Sequence, residues 1–226
     1  MHVEDAAATP GRLDGLLAFL KRRFWFLLPL ALIAAPLTSW VVEPPSALDL
    51  AHSSAIAASG LVNEWAEGNA MVVIRHGERC DRSHNQCLGD PEGITVNGAA
   101  VAAKAGQALQ ALGLENTDVL SSPLVRTVQT SRALTGRDVP TVALLRECQK
   151  PPLEDLLALK QPGRNLVIVT HSGCIEQYEQ QLGVGGTPEG GYVSAFFLSE
   201  VGAESATVLG YLDASGWRTL LAEATD

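Results

Sequence analysis

The chain has 226 residues, enough for one sizeable domain with a short appendage and too few for two full domains. With 46% hydrophobic and 18% charged residues it can bury a core, which excludes wholesale disorder and a miniprotein held by disulfides alone. The formal charge is -9, and all of it falls after residue 43, where 12 Lys and Arg face 21 Asp and Glu. Such a surface repels polyphosphates, argues against a nucleic-acid partner, and requires any anionic ligand to be held by a local cluster of Arg.

Residues 1–23 form a leading segment that ends in Lys21, Arg22 and Arg23. Phe24 to Val42 follow as nineteen residues without a charge, about the length an α-helix needs to cross a bilayer. The three basic residues before this run and Glu43 after it place the N-terminus in the cytoplasm and the rest outside. Trp25 and Trp40 suit the two interfaces. A buried core helix is the plainer reading, but an apolar face all round with Pro29 and Pro36 inside fits lipid better. A cleavable signal peptide is the nearer rival; the 23-residue lead and the length of the run favour an uncleaved anchor. The expectation is a single-pass inner-membrane protein with its domain in the periplasm, the alternative being an exported soluble protein. Residues 43–69, with Pro44, Pro45, Ser46, Ser53 and Ser54 among alanines, read as a linker, partly helical over 55–65. Residues 70–226 read as the folded domain.

That domain alternates strand and helix. Met71 to Ile74, Asp118 to Leu120, Thr141 to Leu145 and Leu166 to Val169 are β-rich runs of strand length. Val101, Ala105, Leu109 and Leu112 repeat at helical spacing before Gly113, and a helix is predicted from near Leu124, just after Pro123. Leu153 to Leu159 and Ile175 to Leu182 give two shorter helices, and Tyr192 to Leu198 and Thr207 to Leu212 two late strands, antiparallel and at an edge. The pattern predicts a three-layer α/β/α sandwich with a mainly parallel sheet, whose ligand site lies at the carboxyl ends of the strands.

Polar residues gather where three of these strands end. The first runs into Arg75-His76-Gly77-Glu78, followed by Arg79 and Arg82; the second into Ser121-Ser122-Pro123-Leu124-Val125-Arg126; the fourth into Thr170-His171-Ser172-Gly173. Parallel strands would open all three segments on one edge, bringing two imidazoles and up to four guanidinium groups to one cleft. Guanidinium forks match phosphate oxygens two at a time, so Arg75, Arg82 and Arg126 are expected to hold a phosphate, with Gly77 allowing close backbone approach. A neutral imidazole can attack phosphorus, and neighbouring Arg charges disfavour imidazolium. His76 is the expected nucleophile and His171 the donor to the equatorial oxygens. A leaving alkoxide needs a proton, for which Glu147 is the candidate once burial raises its pKa, with Glu78 in reserve. No metal and no cofactor is needed. Taken singly, each such His or Arg is more often a satisfied surface residue. Arg132, Arg137 and Arg164 read as solvated charges, a reading open to Arg79 as well, and His2, His52 and His84 lie in segments that do not suggest ligation.

The three motifs, Arg75-His76-Gly77-Glu78, Ser121 to Thr127, and Thr170-His171-Ser172-Gly173, resemble those of the histidine phosphatase superfamily, with its phosphoglycerate-mutase-like fold, over about residues 70 to 200. The resemblance implies that His76 is the phosphorylated residue and that Arg75, Arg126 and His171 form the phosphate pocket. Ser172 after His171, in place of Asp, is unlike the acid-phosphatase and phytase branch. A narrower likeness, through Arg79-Cys80-Asp81-Arg82-Ser83, Cys87-Leu88, Gly93-Ile94-Thr95, Glu147-Cys148 and Cys174, is to a bacterial group acting on a heptose phosphate of the lipopolysaccharide core outside the cytoplasmic membrane. That group has Asp where Glu147 stands here. The likeness implies a phosphorylated sugar or lipopolysaccharide as substrate.

Four cysteines outside the cytoplasm suggest disulfides in one of three pairings. Joining Cys80 to Cys87 would close the loop after the nucleophile, and joining Cys148 to Cys174 would hold Glu147 near the pocket. Their spacings do not match a structural zinc site. Other readings are a phosphohistidine-protein phosphatase or another small-molecule phosphatase of the superfamily, a non-catalytic phosphate-binding module of the envelope, and an envelope scaffold. Oligomeric state is not legible.

Overall fold

The computed structural model of the chain describes residues 45–148, 152–184, 191–199 and 205–225. The expected cytoplasmic segment 1–23 and anchor 24–42 lie outside the described residues; among those described, no helix is long and apolar enough to cross a membrane.

Two short helices open the described chain, α1 (Ser53–Ser59) and α2 (Leu61–Ala66), followed by β1 (Met71–Arg75), α3 (Val96–Leu112), β2 (Thr117–Ser121) and α4 (Val125–Thr135). Next come α5 (Leu153–Leu157), β3 (Asn165–Thr170), α6 (Ser172–Gln181), β4 (Ala195–Ser199), β5 (Thr207–Leu212) and α7 (Trp217–Glu223). The five strands form one sheet in the order β2-β3-β1-β4-β5. β1, β2 and β3 are parallel, as expected, whereas β4 runs antiparallel to β1 and β5 antiparallel to β4, so the sheet is mixed rather than mainly parallel. A right-handed crossover needs a dozen or more residues, and the short return from β4 to β5 allows only the antiparallel pairing.

The pleat divides the core in two. Val72, Ile74, Val167 and Phe197 face a cluster built with α1, α2, α3, α4 and α7, while Met71, Val73, Leu166, Ile168 and Phe196 face a second cluster built with α5 and α6. This is the α/β/α layering. Strands β1 and β3 are apolar on both faces because both faces are covered.

Three expectations are corrected. Thr141 to Leu145 is not a strand: after a single bridge from Thr141 to Ser121, the chain turns into a 3₁₀ helix, Ala143–Arg146, that seats Leu145 in the second cluster. A five-residue apolar run fits either outcome, and the burial of Leu145 decided it. Tyr192 and Val193 form a turn ahead of β4 instead of its first residues. The stretch expected as a linker packs onto the domain, since Leu50, Ile56, Leu61 and Trp65 are buried in the first cluster. Trp65 is fastened twice, its Nε1 donating to Gly113 O (2.8 Å) and its carbonyl accepting from Asn165 Nδ2 (2.8 Å).

Candidate active site

Strand pairing places the three motif segments side by side. Arg75 pairs with Thr170 at the end of β1 and β3, and Ser121 with Val169 at the end of β2, so His76, Ser122 and His171 each emerge from the same sheet edge. The backbone continues the register one step further: His76 N–H donates to Thr170 O (2.9 Å) and Ser122 N–H to Val169 O (2.9 Å).

His76 is buried, and its Nδ1 lies 2.8 Å from the carbonyl of Gly77. A carbonyl can only accept, so Nδ1 carries the proton and Nε2 keeps its lone pair. Burial, with further contributions from the charges of His171, Arg126 and Arg75, pushes the His76 pKa down to about 3. The ring is therefore neutral across the neutral pH range, with the Nε2 lone pair free. The His171 ring centroid is 5.4 Å away. Its pKa is pushed down to about 4 by burial and then by Arg126 and Arg79. His171 Nε2 lies 3.1 Å from Ser122 Oγ, while its Nδ1 and Arg126 Nε are buried without a hydrogen-bond partner among the described residues. Buried donors of this kind are costly unless a ligand uses them.

Arg126 stands in the first turn of α4, and burial followed by the positive charge of Arg79 lowers its pKa. Arg75 lies with its guanidinium carbon 4.5 Å from the centroid of the Tyr192 ring. Arg82 is exposed, although its charge registers at Arg126. Gly77 is needed sterically: a Cβ there would meet Gly98 O at 3.0 Å, and its N–H donates to Thr130 Oγ1 (2.9 Å) on α4.

Neither carboxylate is placed as expected. Glu147 is exposed, so the burial expected of it is absent. It lies next to Cys148, which pairs at disulfide distance with Cys174 (Cα–Cα 4.4 Å), one turn into the helix that His171 caps. Glu78 is unsuited to donating a proton. Its carboxylate accepts from Thr95 Oγ1 (2.6 Å), Asn85 Nδ2 (2.9 Å) and Ser83 Oγ (3.0 Å), and these hydrogen bonds, Thr95 foremost, hold its pKa below the usual range. It ties the loop after the nucleophile to the start of α3, where Thr95 caps Gly98 N–H (2.9 Å). Cys80 and Cys87 pair at disulfide distance in the same loop (Cα–Cα 5.2 Å).

Three residues join the site that spacing alone had not singled out. Ser122 lies within a motif, but its partner is 49 positions away. Tyr192, whose ring centroid is 5.9 Å from that of His76, comes from the turn before β4, the antiparallel neighbour of β1, and no periodicity links it to β1. Arg79, read as a solvated loop charge, is ion-paired to Asp81 and close enough to lower the His171 pKa. Among the described residues no group of three His, Cys, Asp or Glu is arranged to hold a metal ion.

Two neutral imidazoles and the guanidiniums of Arg75 and Arg126 thus gather at the ends of parallel strands. A family model described as the histidine phosphatase superfamily (branch 1) matches residues 71–158. The chain is 34% identical over 158 residues to the lipopolysaccharide core heptose(II)-phosphate phosphatase of Salmonella typhi, covering 69% of this chain and 76% of that protein. It is 39% identical over 108 residues to the protein of that name from Salmonella newport, covering 46% of this chain and 53% of the other. Two solved structures share the fold: the protein histidine phosphatase SixA complexed with tungstate (TM-score 0.52, 18% identity, 65% of this chain and 97% of that one), and a mutant phosphoserine phosphatase from Entamoeba histolytica in complex with phosphoserine (TM-score 0.52, 15% identity, 65% and 98%). The chain belongs to the histidine phosphatase superfamily. It is a phosphatase with histidine-based catalysis.

Proposed function

We propose that this chain is a periplasmic phosphomonoesterase that works through a phosphohistidine at His76 and takes a phosphorylated sugar of the lipopolysaccharide core as substrate. The observation that carries the reading is the tautomer of His76: Gly77 O fixes the proton on Nδ1 and leaves Nε2 as the attacking atom, beside a ring of guanidiniums. Nε2 attacks phosphorus in line with the leaving oxygen, and the P–O bond to the alcohol breaks. Arg75, Arg126 and the Nδ1–H of His171 neutralise the three equatorial oxygens. Glu147 gives its proton to the departing alkoxide, and the substrate covering the pocket mouth supplies the burial that this exposed carboxyl needs. Water then attacks the phosphohistidine, with the carboxylate of Glu147 taking its proton, and inorganic phosphate leaves.

The substrate class is supported by the name of the Salmonella relatives. The location is supported by the uncharged run from Phe24 to Val42 with its basic lead, which would anchor the chain in the inner membrane, and by two cysteine pairs at disulfide distance, as suits an oxidising compartment. The test uses the full chain with purified lipopolysaccharide and with phosphosugars, in the presence of EDTA. Phosphate release, together with an acid-labile label on the protein that disappears in His76→Ala, is expected. Release of phosphate by His76→Ala at the wild-type rate would remove the proposed nucleophile, and activity confined to phosphoproteins would remove the sugar.

A further inference from the structure

The segment Tyr192-Val193-Ser194 is fastened to the end of β1 and to α7 together. Arg75 N–H donates to Ser194 O (2.9 Å), Val193 N–H to His76 O (3.3 Å), and Trp217 Nε1 to Val193 O (2.8 Å). Val193 is fully buried and has a φ of 62°, a conformation that a β-branched residue adopts only when its surroundings impose it. The turn so produced sets the half-buried ring of Tyr192 against Arg75, 4.5 Å from the guanidinium carbon, and 5.9 Å from the ring of His76.

We propose that Tyr192 is a positioning residue of the phosphatase reaction: its ring holds the Arg75 guanidinium by one face, so that Arg75 keeps its aim on the phosphorus. A guanidinium donates its hydrogen bonds in its own plane and meets an aromatic ring with its face, so the two interactions do not compete. The ring narrows the rotamers open to the guanidinium, so less of the entropy cost of aiming its hydrogen bonds in the transition state has to be met at each turnover. The strained turn at Val193, anchored by Trp217, is the part of the fold that delivers the ring. This inference rests on the phosphatase chemistry of the site and not on which sugar carries the phosphate.

The test is a double-mutant cycle on the full chain, with p-nitrophenyl phosphate as substrate and orthovanadate as a probe of the transition-state geometry. Tyr192→Leu is expected to lower kcat about ten-fold with a smaller change in KM, and to weaken vanadate inhibition by a similar factor. Tyr192→Phe, which keeps the ring, is expected to restore both to within about two-fold of wild type. In an Arg75→Ala background the same Tyr192→Leu change is expected to cost no more than about two-fold, because the group through which it acts is gone. Losses that multiply in the double variant, a Phe variant as impaired as the Leu variant, or a fully active Leu variant would each overturn the proposal. Should Tyr192→Leu fail to fold, Tyr192→Met carries the same reading at similar volume without a π face, and its failure to fold as well would assign the ring to stability alone. An active wild type with a multiplicative cycle sinks only the role of Tyr192, whereas a wild type that is never phosphorylated at His76 sinks the mechanism beneath it.

Discussion

The hydroxyl of Ser122 lies 3.1 Å from Nε2 of His171, at the meeting of β2 and β3 and wholly out of solvent. A neutral imidazole carries one proton, and when the serine hydroxyl donates to Nε2 that proton sits on Nδ1, the buried atom without a hydrogen-bond partner among the described residues. In the proposed mechanism that arrangement leaves Nδ1–H of His171 to donate to a phosphate oxygen, and Ser122 is the residue that sets it. Ser122→Ala is expected to lower kcat by about 10- to 100-fold while KM moves less, since the lost donor acts most where charge develops. Steady-state kinetics with an aryl phosphate measure this directly; an unchanged kcat would show that His171 does not depend on Ser122 for its tautomer.

The two depressed histidines also make a statement about stability. Folded His76 titrates at about 3 and folded His171 at about 4, against 6.5 in the unfolded chain. As the pH falls through 6.5 the unfolded chain takes up protons that the folded one refuses, so stability is complete above that value and is lost progressively down to about pH 4 and below. The expected slope reaches about 2.7 kcal/mol per pH unit for the pair. Denaturant titrations at pH 7.5, 6.5 and 5.5 should show it, with His76→Gln flattening the slope by about half. Equal slopes in wild type and variant would place the burial of the ring in error.

Glu147 is tested by changing the leaving group. p-Nitrophenol departs as its anion without help, whereas a sugar alkoxide must be protonated as it leaves. Glu147→Gln is therefore expected to lower turnover of a phosphosugar by more than about 100-fold, yet to leave the initial burst of p-nitrophenol within about ten-fold of wild type. A burst and a phosphosugar rate that fall together would move the acid to another residue. Position alone argues for Glu147, because pairing of Cys148 with Cys174 ties its neighbour to the helix that begins at His171.

How far the sequence discloses this site depends on where each residue sits relative to the strands. His76, Arg126 and His171 were legible because apolar β-runs ended in costly polar residues, and parallel pairing then brought those ends together. Glu78 misled because its type is right for a proton donor while its role follows from partners as far away as Thr95, which no local pattern discloses. The layering of the fold was readable from alternating periods. The course of Thr141 to Leu145 was not, since only the burial of Leu145 selects a 3₁₀ turn over a strand.

The stretch before β1 was misread for a related reason. Small residues and prolines suggest a tether, but Leu50, Ile56, Leu61 and Trp65 face inward, and Trp65 caps the first cluster while bonding to Gly113 and, through its carbonyl, to Asn165. Trp65→Ala is expected to cost about 3 to 5 kcal/mol of folding stability, as for large core truncations. A chain begun after residue 67 should lose cooperative unfolding, for it lacks Leu50, Ile56, Leu61 and Trp65 together. A truncated chain with the wild-type denaturation midpoint would return this stretch to the status of a linker.

Gly98 offers a test in which the sign of the effect decides. It occupies the first turn of α3, where alanine ordinarily stabilises a helix by about 1 kcal/mol relative to glycine. Here a Cβ would stand 2.6 Å from Glu78 N and 3.1 Å from Glu78 O, both backbone atoms of the loop that follows His76. Neither can move without shifting Gly77, where an added Cβ would itself meet Gly98 O at 3.0 Å and whose carbonyl fixes the His76 tautomer. Gly98→Ala is accordingly expected to destabilise by about 1 to 3 kcal/mol, as overpacking does, and to lower kcat with it. Thermal unfolding and aryl phosphate turnover read the two effects separately: a variant more stable than wild type would show that the loop yields freely, and one destabilised but fully active would show that the aim of His76 does not depend on this contact.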